Sequence, residues 1–110
     1  MTVVVEPAHT TTHLPPERAV ITTPALVALM ERCIAQAERQ GAGGERWLSV
    51  AADVKHRAGA KAGETLTVTA QRTASDSHDR ATWTVSATAA DGRLIAEGTI
   101  DRMWEASCPE

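Results

Sequence analysis

Apolar residues crowd the stretch "ALVALMERCIAQA", residues 25 to 37, where six small or apolar residues in a row precede Glu31. That spacing predicts one long helix. Thr23 at the N-cap and Pro24 at the first helical position would start it. It runs to about Gln40, where "GAGG" supplies a stop. After Gly44 the period changes to two. In "WLSVAADVKH", Leu48, Val50, Ala52, Val54 and His56 fall on one face, with Ser49, Asp53 and Lys55 on the other. "TLTVTAQR" sets Leu66, Val68 and Ala70 against Thr65, Thr67, Thr69 and Gln71, and "RATWTVSATA" sets Trp83, Val85 and Ala87 against Thr82, Thr84 and Ser86. "RLIAEGTIDRMW" puts Leu94, Ala96, Ile100 and Trp104 on one face, and Arg102 unexpectedly among them. "RAGAKAGE" reads as a turn, "TASDSHD" as a polar hairpin loop, and "DG" at 91–92 as a tight turn. Upstream, "TVVVEP" is a short strand, prolonged in extended form through "AHTTTHL" until the prolines of "LPPER" end regular structure.

The layout is strand, long helix, then four strands joined by hairpin-length connections, which implies an antiparallel sheet. A helix with so apolar a surface must be wrapped by that sheet. The expected fold is α+β, the hotdog architecture: a curved antiparallel sheet around one central helix. At 110 residues it is a single domain, 1–110, with a tail from about 105–110 expected to fray. There is no Phe and no Tyr, and with three Trp as the only aromatics the core must be built from Val, Leu, Ile and Ala. Such a core is thin, so a homodimer or higher homo-oligomer is expected.

The net charge is −3 with both signs scattered, and without a basic stripe no nucleic-acid partner is expected. No apolar run reaches the roughly 20 residues that span a bilayer. "MTVVVEPAH" lacks the charged and apolar regions of a secretory signal, so the expected location is the cytoplasm with no membrane association. Cys33 and Cys108 make no disulfide framework in such a protein. Cys33 reads as a small core residue and Cys108 as a tail thiol.

Glu31 is the first chemical candidate. Its helical neighbours Val27, Ala28, Ile34 and Ala35 are all apolar. A carboxylate there loses water and is readied for acid/base or nucleophilic work, unless helix curvature carries it to a solvated rim. His56, at the end of its strand, suits a general base or a structural histidine. The Thr23 hydroxyl is accounted for by capping alone. Arg102 either pairs with a buried carboxylate, binds an anionic substrate group, or snorkels to the edge. His9 and His13 would share a strand face, but two ligands make a poor metal site. His78 falls in a polar loop. The glycines of "GAGG" follow a helix, the wrong setting for a phosphate cradle, and no nucleophile elbow, CxxC or HExxH is present.

"TTPALVALMERC", "VKHRAGAKAGETLTVTA" and "GRLIAEGTIDR" together resemble the hotdog thioesterases related to fluoroacetyl-CoA thioesterase. The likeness runs from Val3 to about Trp104. Its most specific parts are a Thr-Pro before an apolar run ending "LME", and a His seven residues before a Gly. These are Thr23, Glu31, His56 and Gly63 here. The resemblance implies an acyl-CoA thioesterase with Thr23, Glu31 and His56 as the catalytic set. Ser49, Gly63 and Arg102 would lie on the substrate side, with no cofactor and no metal. The chain departs from the pattern in three places. Ser49 stands where a Gly is expected, Ile100 replaces a His, and the segment before Thr23 is short and lacks the Phe of a lid. Selectivity for a fluorinated acyl group is therefore not implied.

The hydrolysis must deliver water to a thioester carbonyl and stabilise an oxyanion. His56 is the natural base, acting on the Thr23 hydroxyl, on water, or with Glu31 in an acyl-enzyme route. Peptide N–H groups at the helix N-terminus suit the oxyanion. Eight residues of helix separate Thr23 from Glu31 by about 12 Å. Either the Thr23 segment folds back, or the site combines residues of two chains. The main alternative is a hotdog domain that binds an acyl-CoA or other small ligand without turnover. A hydratase would need an Asp/His pairing that is absent at the helix, and a purely structural module leaves Glu31 unexplained.

Overall fold

The computed structural model describes residues 1–39, 47–73 and 79–105. The "GAGG" stop, most of the "TASDSHD" loop with His78, and the tail with Cys108 lie outside the described residues. Among the described residues, five strands and one long helix follow in the order β1 (Thr2–Val4), α1 (Thr23–Arg39), β2 (Trp47–His56), β3 (Thr65–Arg72), β4 (Arg80–Ala89) and β5 (Leu94–Trp104). All strand pairs are antiparallel, and the sheet order is β1-β3-β4-β5-β2. Helix α1 lies against this sheet, burying Leu26, Leu29, Met30 and Ile34 at the spacing of one helical face. Leu66, Val68, Val85, Ala87, Ile95 and Ile100 answer from the sheet. This is the hotdog arrangement expected from the alternation.

Two connections differ from expectation. β2 and β3 form no hairpin: β2 pairs with β5 at one edge, while β3 pairs with β4 and β1. Residues 57–64 therefore cross three strand spacings, about 14 Å. Ala60 of this crossover is fully buried, and its carbonyl accepts the Ile21 N–H at 2.7 Å. The first strand is also not prolonged. After Val4 the chain makes a short 3-10 turn, Pro7–His9, in which His9 Nδ1 accepts the Glu6 N–H. His9 and His13 thus share no strand face. A lone bridge between Thr10 and Ile21 then closes the 11–20 segment into a loop that returns the chain to α1.

Two bulges overturn the facing of particular residues. The β2–β5 register shifts between Ser49 and Ala51. Ser49 is opposite the buried Arg102, and Ala52 opposite the buried Ile100, so both face the helix. Leu48 and Val50, expected inward, are turned out and exposed. A second shift, between Ala87 and Thr88 on β4, does the same to Leu94, while Ile95 takes the buried place. One extra residue in a strand reverses every side chain before it.

β2 is the longer edge of the sheet, ten residues, and most of its side chains are exposed. No helix among the described residues is long and apolar enough to cross a membrane.

Candidate functional site

Thr22, rather than Thr23, caps α1. Its hydroxyl accepts the Ala25 N–H at 3.2 Å and its carbonyl accepts the Leu26 N–H at 3.0 Å. The expected cap is displaced by one residue because the approach to the helix is pinned upstream. Ile21 N–H is held by Ala60, and Thr22 N–H by the His9 carbonyl at 2.9 Å. The Thr23 hydroxyl is thereby released from capping, and its Oγ1 lies 3.0 Å from His56 Nδ1.

His56 reaches that position as the last residue of β2, opposite Ala96. The next two N–H groups, of Arg57 and Ala58, both bond the Ile95 carbonyl, at 2.7 and 3.2 Å. Ile95 is the residue that the second bulge inserts, so that irregularity anchors the chain just beyond the histidine. With Nδ1 on the Thr23 hydroxyl, Nε2 is the ring nitrogen left for substrate or water. Two proton arrangements fit. The hydroxyl donates to Nδ1, poising Thr23 for attack, or Nδ1–H donates to Oγ1 and leaves Nε2 as the base on water.

The oxyanion expectation also sharpens. In the first turn of α1, Thr22 engages the N–H groups of Ala25 and Leu26, and Pro24 has none. The Thr23 N–H is the first-turn donor that Thr22 does not engage, beside its own hydroxyl.

The Glu31 side chain is half-buried, and among the described residues no hydrogen bond or ion pair engages it. Helix α1 is continuous from Thr23, so Glu31 stays about 12 Å along the axis from Thr23. The folded-back segment is thus ruled out as the way to join them.

Two of the three substrate-side expectations, Arg102 and Ser49, lie apart from the pair. Arg102 is buried, with Nε and Nη2 donating to the two oxygens of Glu38, at 3.1 and 2.6 Å, and Nη1 donating to Ser49 Oγ at 2.9 Å. Of the alternatives for Arg102, the geometry is that of a guanidinium paired with a buried carboxylate. Ser49, seven residues before His56, sits about 20 Å away along β2. Within one protomer neither residue borders the Thr23–His56 pair. Gly63 adopts φ +93° in the turn before β3, its N–H bonded to the Val5 carbonyl at 2.8 Å, a conformation that by itself calls for glycine. Among the described residues no three His, Cys, Asp or Glu side chains gather as a metal site.

Glu38 escaped the sequence reading, although a signal was there. Leu26, Met30, Ile34 and Glu38 recur every four residues on the buried stripe of α1. A carboxylate on such a stripe, with an inward arginine on the facing sheet, should have suggested the pair.

Over residues 5–104 the sequence matches the family model of fluoroacetyl-CoA-specific thioesterase. A search of curated protein sequences finds no match. A structure of fluoroacetyl-CoA thioesterase superposes with TM-score 0.81 at 31% identity, covering 94% of this chain and 81% of that one. A variant of the same enzyme, solved with fluoroacetate and CoA, gives 0.77 at 31% identity, covering 94% and 87%. A thioesterase superfamily member of Thermus thermophilus gives 0.81 at 22% identity, covering 96% and 80%, a likeness of fold alone. With a hotdog sheet around α1 and a family match over all but the two ends, the chain belongs to the fluoroacetyl-CoA-specific thioesterase family and is a hotdog-fold thioester hydrolase.

Proposed function

We propose that this enzyme hydrolyses small acyl-CoA thioesters at a site centred on Thr23 and His56. The observation that carries the reading is the 3.0 Å contact between Thr23 Oγ1 and His56 Nδ1, made by residues 33 positions apart and on different elements. A hydroxyl on an imidazole at a helix N-terminus is the equipment of acyl transfer. It supplies a nucleophile or water orienter, a base, and a helix dipole favouring the oxyanion. Selectivity for a fluorinated acyl group is not part of this reading, since residues 10–22, which lead into the site, contribute no Phe, Trp or Tyr to a lid.

The active form in this reading is a cytoplasmic homodimer. Its interface is the edge of β2, ten residues long, with exposed Leu48 and Val50 beside it. A long bare edge is a template for another strand. Antiparallel pairing of two β2 edges about a two-fold sets the His56 end of one strand beside the Ser49 end of its partner. Glu31 of the partner subunit then completes the site, since the Glu31 on the same helix is out of Thr23's reach. Arg102 and Glu38 hold Ser49 in place for that junction.

The test is release of free CoA thiol from a panel of short, medium and aryl acyl-CoAs by wild type, His56→Ala and Glu31→Gln. Turnover of short acyl-CoAs that both substitutions abolish, with folding and dimerisation intact, is expected. Binding of acyl-CoA without turnover by the wild type would instead make this a binding domain.

A further inference from the structure

β5 closes on β2 at Gly98, which is directly opposite Val54, while Ala96 is opposite His56. A Cβ added to Gly98 would lie 2.0 Å from the Asp53 carbonyl oxygen, 2.7 Å from Val54 Cα and 2.9 Å from the Asp53 carbonyl carbon. All three are backbone atoms of β2, so no side-chain rotation relieves the overlap. Restoring van der Waals separation from the nearest atom moves the strands apart by more than about 1 Å. β2 is the strand that yields, being an edge held within the protomer by β5 alone on its ladder.

His56 ends that strand two residues after Val54. Thr23 rides on α1, which packs more against β3 and β4 than against β2 and so is held in place when β2 moves outward. A 3.0 Å contact lengthened by about 1 Å is no longer a hydrogen bond. A displacement of about 1 Å in a catalytic group costs on the order of 100-fold in rate.

We propose that Gly98 is a positioning residue for thioester hydrolysis: the missing side chain seats β2 against β5 and so sets His56 within reach of the Thr23 hydroxyl. This rests on the assignment of Thr23 and His56 made above. The space that matters here is steric, since Gly98 has no positive φ.

Gly98→Ala is expected to lower kcat on the order of 100-fold while KM stays within a few-fold. The imidazole nitrogen signals of His56 should lose the Nδ1 hydrogen-bond signature. In a His56→Ala background, assayed with enzyme in excess so that the trace turnover left without the imidazole is readable, the same substitution should change that trace by less than about two-fold, because both changes act through one group. Gly92→Ala is the control: Gly92 has φ +92° and open space around its would-be Cβ, so it strains a turn without moving β2 and should keep kcat. An equal loss from Gly98→Ala in both backgrounds, or an unchanged His56 signature, overturns the proposal. If His56→Ala keeps full turnover, the site assignment itself fails. If His56→Ala is inactive but Gly98→Ala is not, only the role of Gly98 fails. Should Gly98→Ala not fold, the wild-type protein still decides. A strong Gly98 Hα to Val54 Hα proton contact and a downfield Gly98 Hα, facing the Asp53 carbonyl, support the close approach, and their absence refutes it.

Discussion

Glu38→Ala removes the charge that faces Arg102 where neither partner has water to fall back on. The two side chains are 5% and 8% exposed. Arg102 donates twice to Glu38 and once to Ser49, so the substitution strands a guanidinium that has only the Ser49 hydroxyl left. Breaking a buried pair in this way costs about 3–5 kcal/mol. A domain of this length gains on unfolding about 0.23 kcal/mol/K of entropy at its midpoint, so each kcal/mol is about 4 °C. The expected fall in Tm is therefore about 13–22 °C, read by tryptophan fluorescence at fixed protein concentration, since dimerisation makes the midpoint concentration-dependent. A second variant separates charge stranding from lost packing. Glu38→Leu combined with Arg102→Met replaces the pair by apolar groups and should recover most of the loss, because burying a pair is itself costly. A Glu38→Ala midpoint within about 1 kcal/mol of wild type would mean that the pair is solvated. A double variant no better than the single would mean that lost packing dominates. Either result refutes the reasoning.

The two adjacent threonines should separate stability from chemistry. Thr22→Ala removes the cap and costs about 1 kcal/mol in a urea titration with turnover kept, whereas Thr23→Ala lowers turnover by about 100-fold or more with little effect on stability. Val50→Lys on the bare edge is expected to shift sedimentation toward monomer, with CoA release falling in parallel; a stable dimer would place the interface elsewhere. Asp91 has its carboxyl held below the ordinary value of 3.8 by the Arg93 backbone N–H and then by the Arg93 side chain. Its folded pKa is depressed, so its small contribution is present above 3.8 and lost as pH falls through the folded value. The urea midpoints of wild type and Asp91→Asn should therefore converge below that pH.

Much of the fold was legible because one period or the other dominates each segment. α1 and the strands β3 and β4 carry an unbroken pattern, and the inward residues of β3 and β4 are those the alternation names. The failures cluster where one residue breaks the period. A bulge at Val50 and another at Ile95 reverse Leu48, Val50 and Leu94, and nothing in a string of apolar letters marks which residue a ladder will skip. The β2–β3 crossover has the length of a hairpin connection, its eight residues suit either path, and the partner of a strand is a tertiary choice. At the site, Thr23 and His56 stand out through the resemblance, while helix-start chemistry alone makes Thr23 a cap. The cap in fact falls on Thr22, through hydrogen bonds from Ile21 and Thr22 to Ala60 and His9 that no local pattern announces. Gly98 was invisible for a related reason, since a glycine in a strand does not say how near its neighbour comes.

Mixing two inactive variants tests whether the thioesterase site is shared between two chains. His56→Ala and Glu31→Gln are each expected to be dimeric and inactive in CoA release. Equal amounts, unfolded together and refolded, form mixed dimers in which one of the two sites keeps Thr23, His56 and the partner's Glu31 intact. Turnover should return to about a quarter of the wild-type value, half the dimers being mixed and half their sites whole. Mixed dimers that form yet stay as inactive as either parent would contradict the account.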